Sequence, residues 1–148
     1  MEDDAIRQPE KPVGEPLRSR TSGSHRILVV EDEPCLRQFN TKSLAEAGYL
    51  VDAVEDGDAA WDTLQMNNYD LLVTDNQMPK VSGLELIKKV RAAGMNLPVI
   101  MATGTLPTEE FTRWPRLQPA ATLLKPYTVA AFLRTVENVL RPVSNIVS

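Results

Sequence analysis

Five short apolar runs alternate along this chain with stretches that carry apolar residues at helical spacing. The runs cover residues 27–30, 50–54, 71–73, 98–102 and 121–124. Most of them are continuous rather than alternating, which is typical of strands covered on both faces of a parallel sheet. Because strands that alternate with helices through short loops run parallel with right-handed crossovers, the pattern predicts an α/β fold. We expect a (βα)5 doubly wound sandwich with a five-stranded parallel sheet.

The predicted helices differ in how clearly the sequence marks them. The last one, 129–140, has the clearest stripe at 3.6-residue spacing, and Gly48 closes the first. The fourth is the weakest, because Pro107 can occupy its first turn but Pro115 must end it within about two turns. One face of the first predicted helix consists of Leu36, Phe39, Ser43, Leu44 and Ala47.

The N-terminal segment differs in composition from the rest of the chain. It contains Pro9, Pro12 and Pro16, mixed charges and only scattered apolar residues. Such a segment cannot bury enough surface to offset its ordering entropy, so we expect residues 1–25 to be a disordered tail or a linker. The compact domain is expected to cover 26–141, followed by a short tail at 142–148.

Composition narrows the class of protein. A length of 148 residues suits one domain, and the net charge of −4 argues against nucleic acid as the main partner. The one cysteine, Cys35, cannot form an internal disulfide, and in the first turn of a helix we expect it to be packed rather than reactive. The sequence shows no membrane-spanning apolar run and no signal peptide, so we expect a cytoplasmic protein without a membrane partner.

Charged and hydroxyl side chains follow four of the five predicted strands. Glu31 and Asp32 come after the first strand, Asp75 after the third, Thr103 after the fourth and Lys125 after the fifth. In an open parallel sheet, reactive groups gather at the edge where the carboxyl ends of the strands meet. We therefore expect three carboxylates, one hydroxyl and one amine to lie together there.

These residue types suit phosphoryl transfer to a carboxylate. Three crowded carboxylates repel one another and need a cation, and oxygen ligands with few protein contacts suit Mg²⁺. A carboxylate beside Mg²⁺ can attack phosphorus and form an acyl phosphate, while the metal and a lysine neutralise the transferring oxygens. Thr103 can donate a hydrogen bond to the bound group. Asp75, at the end of the central strand, is the predicted acceptor.

Four segments within residues 26–141 resemble those of response-regulator receiver domains, namely ILVVEDEP, LLVTDNQMPKVSGLELI, PVIMATG and LLKP. The resemblance implies a flavodoxin-like strand order, 2-1-3-4-5. It also implies that Mg²⁺ is bound by Asp32, Asp75 and the backbone carbonyl of Gln77, with Glu31 acting through water. The Lys-Pro bond is usually cis in this family, so we expect a cis bond between Lys125 and Pro126.

The resemblance further implies a phosphorylation-dependent signalling switch of a two-component system or phosphorelay. A histidine kinase or a histidine phosphotransfer protein would phosphorylate Asp75, and the chain would act through contacts with a downstream protein, as a monomer or weak dimer. It would promote its own phosphorylation and dephosphorylation without a separate substrate, so we do not expect an enzyme in the usual sense. The only histidine, His25, lies in the predicted tail, so the phosphodonor must be another protein.

One variant of this function fits the sequence equally well, and two other classes of function fit it less well. We expect no second domain after residue 141 and therefore favour a stand-alone receiver, but a receiver excised from a hybrid histidine kinase would look the same. A phosphorylation-independent scaffold is disfavoured by the intact set of strand-end residues. A flavin or nucleotide site is disfavoured because the loop after the first strand is acidic, and neither G-x-G-x-x-G nor G-x-x-x-x-G-K-[ST] occurs there.

One position departs from the family pattern. Receiver domains commonly carry Tyr or Phe three residues before the lysine, and Thr122 occupies that position here. Thr122 is too small to fill space vacated by a moving Thr103. We therefore expect phosphorylation to act through an order–disorder change in residues 103–115, where Gly104 adds backbone freedom.

Overall fold

The structure, a computed structural model, describes residues 25–141. Its strands are β1 (Arg26–Val30), β2 (Leu50–Val54), β3 (Leu71–Thr74), β4 (Val99–Thr103) and β5 (Ala121–Leu124). Its α-helices are α1 (Pro34–Glu46), α2 (Gly57–Met66), α3 (Gly83–Ala92), α4 (Thr108–Arg113) and α5 (Val129–Leu140). A short 3₁₀ helix, Pro115–Leu117, follows α4. The tails expected at 1–25 and 142–148 lie outside the described residues, except for His25.

The five strands form one parallel sheet in the order β2-β1-β3-β4-β5. A helix follows each strand, so the predicted (βα)5 fold with its flavodoxin-like strand order is confirmed. The register pairs Val30 of β1 with Thr74 of β3, and Thr103 of β4 with Leu124 of β5. The residues that follow these pairs therefore meet at one edge of the sheet.

Helices cover both faces of the sheet, and each face has its own hydrophobic core. Because strand side chains alternate between faces, β1 serves both cores. Leu28 and Val30 pack with side chains of α2 and α3, whereas Ile27 and Val29 pack with α1 and with Phe132 of α5. All four of these β1 side chains are buried. The two cores fix the central strands, whose ends carry the candidate site.

The edge strands differ from their predicted burial. β1, β3 and β4 are covered on both faces, as their continuous apolar runs predicted. β2 and β5 are not, since Leu50 and Leu124 are 55% and 56% exposed. The prediction was wrong for these two strands because the helix layers pack over the centre of the sheet and leave its edges partly open.

The predicted buried face of α1 is partly wrong. Leu44 is buried, but Phe39 is 43% exposed and Ala47 is also exposed. Asn40, which is 2% exposed, lies on the buried stripe instead, four residues before Leu44. Cys35 is exposed rather than packed. The buried face of α1 thus includes the polar Asn40 and leaves out the apolar Phe39.

α4 is the shortest α-helix in the described part of the chain. It has six residues and ends before Pro115, as predicted. Phe111 is its buried residue. Between residues 25 and 141, no helix combines the length and the apolar character needed to cross a membrane.

Candidate functional site

Three carboxylates lie together at the carboxyl edge of the sheet. The pairing of Val30 with Thr74 brings the residues after β1 next to the residue after β3. Glu31, Asp32 and Asp75 each place a carboxylate oxygen within 4.8 Å of the others. Glu31 and Asp75 are buried, whereas Asp32 is exposed to solvent. Two of the carboxylates are thus shielded from water, whereas the third is in contact with it.

Lys125 neutralises part of this cluster. Its Nζ lies 2.7 Å from Asp75 Oδ2 and 3.0 Å from Glu31 Oε1. The pairing of β5 with β4 and the cis bond between Lys125 and Pro126 accompany this placement. Burial alone would lower the pKa of Lys125, but hydrogen bonds to Asp75 and Glu31, and their charges, raise it above its ordinary value. The ammonium form is therefore firmly held.

Asp75 is fixed in place before any ligand binds. Its Oδ1 accepts hydrogen bonds from the backbone N–H groups of Asn76 at 2.6 Å and Gln77 at 3.1 Å. Gly83 packs directly on the Asp75 backbone, and a Cβ at that position would lie 2.2 Å from the Asp75 carbonyl oxygen. The loop that ends at Gly83 thus closes tightly against the backbone of Asp75.

The Glu31 side chain is buried and fixed by hydrogen bonds. Its Oε2 accepts a hydrogen bond from the backbone N–H of Glu33 at 3.1 Å. Burial raises the pKa of Glu31, and this effect outweighs the opposing effect of Lys125. A cation beside Glu31 would favour its charged form.

Thr103 is the last residue of β4 and is fully buried. Its Oγ1 has no hydrogen-bond partner among residues 25–141. Its backbone carbonyl accepts a hydrogen bond from the Lys125 N–H at 3.0 Å, which ties the ends of β4 and β5 together. A buried hydroxyl without a partner is costly, so it marks a place where an additional oxygen acceptor would be stabilised.

The donor set fits a hard divalent cation. Three carboxylates against one ammonium leave a formal excess of two negative charges. All the candidate side-chain ligands are oxygens, and the exposed Asp32 gives access to bound water, which Mg²⁺ retains. Gln77 is the remaining predicted ligand residue. It is exposed, and its backbone N–H donates the hydrogen bond to Asp75 Oδ1 described above.

Two supporting interactions were not predicted. Asn40 of α1 donates a hydrogen bond through Nδ2 to the Tyr127 hydroxyl at 2.9 Å, and this fixes the loop that carries Lys125. Lys80 lies in the loop after β3 with φ 70° and pairs with Asp56, the N-cap of α2, at 3.4 Å. The signal in the sequence for the first of these contacts was a polar residue, Asn40, placed four residues before the apolar Leu44.

Thr122 lies in the edge strand β5 and is exposed. Tyr127, the aromatic residue after the Lys-Pro pair, packs against Phe132 with ring centroids 5.5 Å apart. Its hydroxyl is bonded to Asn40 on the other side of the sheet from α4. Tyr127 therefore does not replace an aromatic at position 122.

Comparisons with known proteins give matches to a single family. The family model for the response regulator receiver domain matches residues 27–137. The transcriptional regulatory protein CusR of Escherichia coli is 30% identical over 116 residues, which cover 78% of this chain and 51% of CusR. The response regulator RppA of Synechocystis is 47% identical over 81 residues, which cover 53% of this chain and 35% of RppA. The chain thus spans about half or less of the length of these curated relatives.

Solved structures of response regulators have the same fold as this chain. The chemotaxis response regulator CheY4 of Vibrio cholerae is 28% identical, with a TM-score of 0.71 over 78% of this chain and 98% of that one. The response regulator TrrA of Thermotoga maritima, solved in complex with Mg²⁺ and BeF, is 29% identical, with a TM-score of 0.69 over 78% of this chain and 98% of that one.

Proposed function

Because this chain belongs to the response regulator receiver domain family, we propose that Asp75 accepts a phosphoryl group from a histidine kinase or a histidine phosphotransfer protein. The observation that carries this proposal is the 2.7 Å ion pair of Lys125 Nζ with Asp75 Oδ2 inside a cluster of three carboxylates. The family is one of phosphate-accepting signalling domains in two-component systems. We assign the chain no separate turnover substrate.

The proposal includes Mg²⁺ as the cofactor. Asp32, Asp75 and the backbone carbonyl of Gln77 would hold the ion, and Glu31 would act through water. When bound, Mg²⁺ supplies positive charge that neutralises the phosphoryl oxygens. The oxygen-only donor set with two excess negative charges supports this assignment. So does the Mg²⁺ in the similar TrrA structure.

Each remaining residue has a distinct role in the transfer. A carboxylate oxygen of Asp75 forms a bond to phosphorus while the bond from phosphorus to the donor nitrogen breaks. The N–H groups of Asn76 and Gln77 orient the carboxylate for this attack, which lowers the entropic cost of alignment. Lys125 pairs with a transferring phosphoryl oxygen, and the buried hydroxyl of Thr103 donates a hydrogen bond to another.

Intact-mass measurement tests the acceptor. The protein is incubated with Mg²⁺ and a small-molecule phosphodonor such as acetyl phosphate, and we expect a mass gain of one phosphate. Asp75→Asn should gain none, and Asp62→Asn, a matched change at an exposed acid of α2, should behave like the wild type. Equal labelling of Asp75→Asn and the wild type would refute the assignment.

We propose that the signal leaves the site through residues 103–115. Three features support an order–disorder change there rather than the rotation of an aromatic. Thr122 is small and exposed, α4 has only six residues, and a Cβ at Gly104 would have no neighbour within 4 Å. Phosphorylation would draw Thr103 toward the phosphoryl oxygens and order the loop and α4 behind it.

Several finer expectations stay predictions. They are a domain covering 26–141, a cytoplasmic location, a monomer or weak dimer, and action through a downstream protein. Because relatives such as CusR are transcriptional regulators by name, the expected absence of a nucleic-acid partner also stays a prediction. That the receiver acts alone, rather than within a longer protein, also stays a prediction.

A further inference from the structure

A groove of about 420 Å³ lies between α3 and the segment that links α4 to the 3₁₀ helix. We call it the α3–α4 groove. It shares no residue with the cluster around Asp75. The residues that matter for its chemistry are Lys88, Ala92, Arg113, Trp114, Arg116 and Leu117.

An exposed aromatic side chain marks this groove. Trp114 is 42% exposed, although an indole ring gains more from burial than most side chains do. The Lys88 Nζ lies 5.1 Å from the centroid of its ring, and the Arg113 guanidinium carbon lies 5.2 Å from it. Leu117, which is buried, and Ala92 add an apolar surface beside the ring. The groove thus joins an apolar floor to a cationic rim.

The rim cations lack acidic partners among the described residues. Ion pairs within residues 25–141 involve the cations of Arg26, Lys80 and Lys125, and none involves Lys88, Arg113 or Arg116. The neighbouring acid Glu85 is used in the capping box of α3.

Glu109 lies one turn before Arg113 on α4 and forms no ion pair with it. Arg91, a further cation of the groove, donates hydrogen bonds to the carbonyls of Met95 and Leu97 and serves the fold. Three cations therefore point to a ligand of opposite charge, on a chain whose net charge is −4.

We propose that the α3–α4 groove binds an acidic segment of a partner protein that carries a large apolar side chain. The apolar side chain would pack on Trp114 and Leu117, and flanking carboxylates would pair with Lys88, Arg113 and Arg116. Aromatic and arginine side chains in a partly enclosed groove are the residues that contribute most to protein–protein binding. Three cations around an apolar floor suit such a segment better than nucleic acid, which needs a longer array of phosphate contacts.

Peptide selection tests the proposal on the full chain. A random library of twelve-residue peptides displayed on phage is selected against the unphosphorylated protein, and the enriched peptides are synthesised with a dye. We expect enriched sequences with several acidic residues around a Leu, Ile, Phe or Trp. Fluorescence anisotropy then measures their affinity for the wild type and its variants.

The variants separate the groove from general surface effects. Trp114→Ala and Arg116→Glu should each weaken peptide binding by roughly tenfold or more, because they remove the anchor and reverse a rim charge. The matched controls are Phe39→Ala, an aromatic with 43% exposure on α1, and Arg134→Glu, an exposed arginine of α5. Both controls should bind like the wild type. All binding is measured on the unphosphorylated protein, so the result does not depend on the proposed phosphorylation.

Three outcomes would overturn the proposal. One is a selection that yields no enriched peptides or peptides without an excess of acidic residues. Another is peptide binding that survives both Trp114→Ala and Arg116→Glu. The third is a duplex DNA oligonucleotide that competes with the peptide in the groove and binds more tightly than it does, which would assign the groove to nucleic acid. Unchanged circular dichroism of Arg116→Glu, an exposed position, would establish that lost binding is not lost folding.

Discussion

Replacement of Lys125 by methionine should separate the two roles of this residue. Lys125→Met keeps a long, unbranched side chain but removes the ammonium that lies 2.7 Å from Asp75 and 3.0 Å from Glu31. Both carboxylates are then buried without a cation, because Glu31 and Asp75 are only 3% and 7% exposed. The same change removes the positive charge that opposes binding of a metal ion.

The magnitude can be worked out from these contacts. A hydrogen bond to a charged group is worth about 1.5–3 kcal/mol, and the partial burial of Lys125 itself offsets some of the gain from two of them. In EDTA at neutral pH, we therefore expect Lys125→Met to lose about 2 kcal/mol of unfolding free energy. With an ordinary urea dependence for a domain of this size, the midpoint should fall by roughly 1.5 M.

Mg²⁺ should reverse this loss and reveal the second role. With one positive charge removed, the carboxylates should bind Mg²⁺ at least about tenfold more tightly, a difference of roughly 1.4 kcal/mol. Saturating Mg²⁺ should then restore most of the lost stability, because a ligand that binds only the folded state stabilises it. Phosphorylation at saturating Mg²⁺ should nevertheless be slower by about a hundredfold, since no ammonium neutralises the phosphoryl oxygens.

The assay is urea unfolding in EDTA and in a Mg²⁺ series, followed by the rate of mass gain with acetyl phosphate. Lys80→Met is the matched control, because Lys80 pairs with Asp56 at 3.4 Å with its side chain 60% exposed. Because the Lys80 side chain is mostly exposed, its pair with the largely buried Asp56 is worth about 1 kcal/mol or less, and its loss should not depend on Mg²⁺ in this way. If Mg²⁺ binds Lys125→Met no more tightly than the wild type, or if the variant is phosphorylated at the wild-type rate, the reasoning fails.

Three further predictions follow from the same contacts. Tyr127→Phe should cost about 1–2 kcal/mol in urea unfolding by leaving the buried Asn40 amide unpaired, and adding Asn40→Leu should recover much of that loss; equal additive losses would contradict this. Because burial raises the pKa of Glu31, its contribution to stability is present below the ordinary value of 4.5 and is lost as pH rises through the raised folded value. Glu31→Gln should therefore remove this part of the pH dependence between pH 4 and 8 in EDTA, and an unchanged pH profile would contradict it. Amide exchange across residues 103–115 should slow when beryllofluoride and Mg²⁺ are added, and equal exchange in both states would exclude an order–disorder output.

The sequence predicted the fold, and which side chains meet at the sheet edge, for one physical reason. In a parallel sheet, the residue after each strand lies at the same edge, so positions as far apart as Glu31 and Lys125 become neighbours once the strand order is known. The strand order itself came from the motifs rather than from periodicity. The bounds of α4 could also be predicted, because Pro107 and Pro115 limit it by their backbone chemistry.

The features that sequence reasoning missed depend on side-chain packing between distant elements. Asn40 and Tyr127 are 87 residues apart, and only the packing of α1 against the loop after β5 brings them together. Asp56 and Lys80 meet because Gly57 allows close contact with Val81, where a Cβ would lie 2.3 Å from a backbone carbonyl oxygen. Burial of the edge strands was misjudged for a similar reason, since an apolar run does not report its distance from the sheet centre.

Several properties of the site carry a cost in the ligand-free protein. The Thr103 hydroxyl is buried without a partner among the described residues, the cluster has two negative charges in excess, and burial disfavours the charged form of Glu31. Lys125 offsets only part of this cost, because one ammonium pairs with two carboxylates. A divalent cation would remove the charge excess, and a phosphoryl group would give Lys125 and Thr103 new oxygen partners. Each of these costs therefore favours binding of the ligands that the proposed function requires.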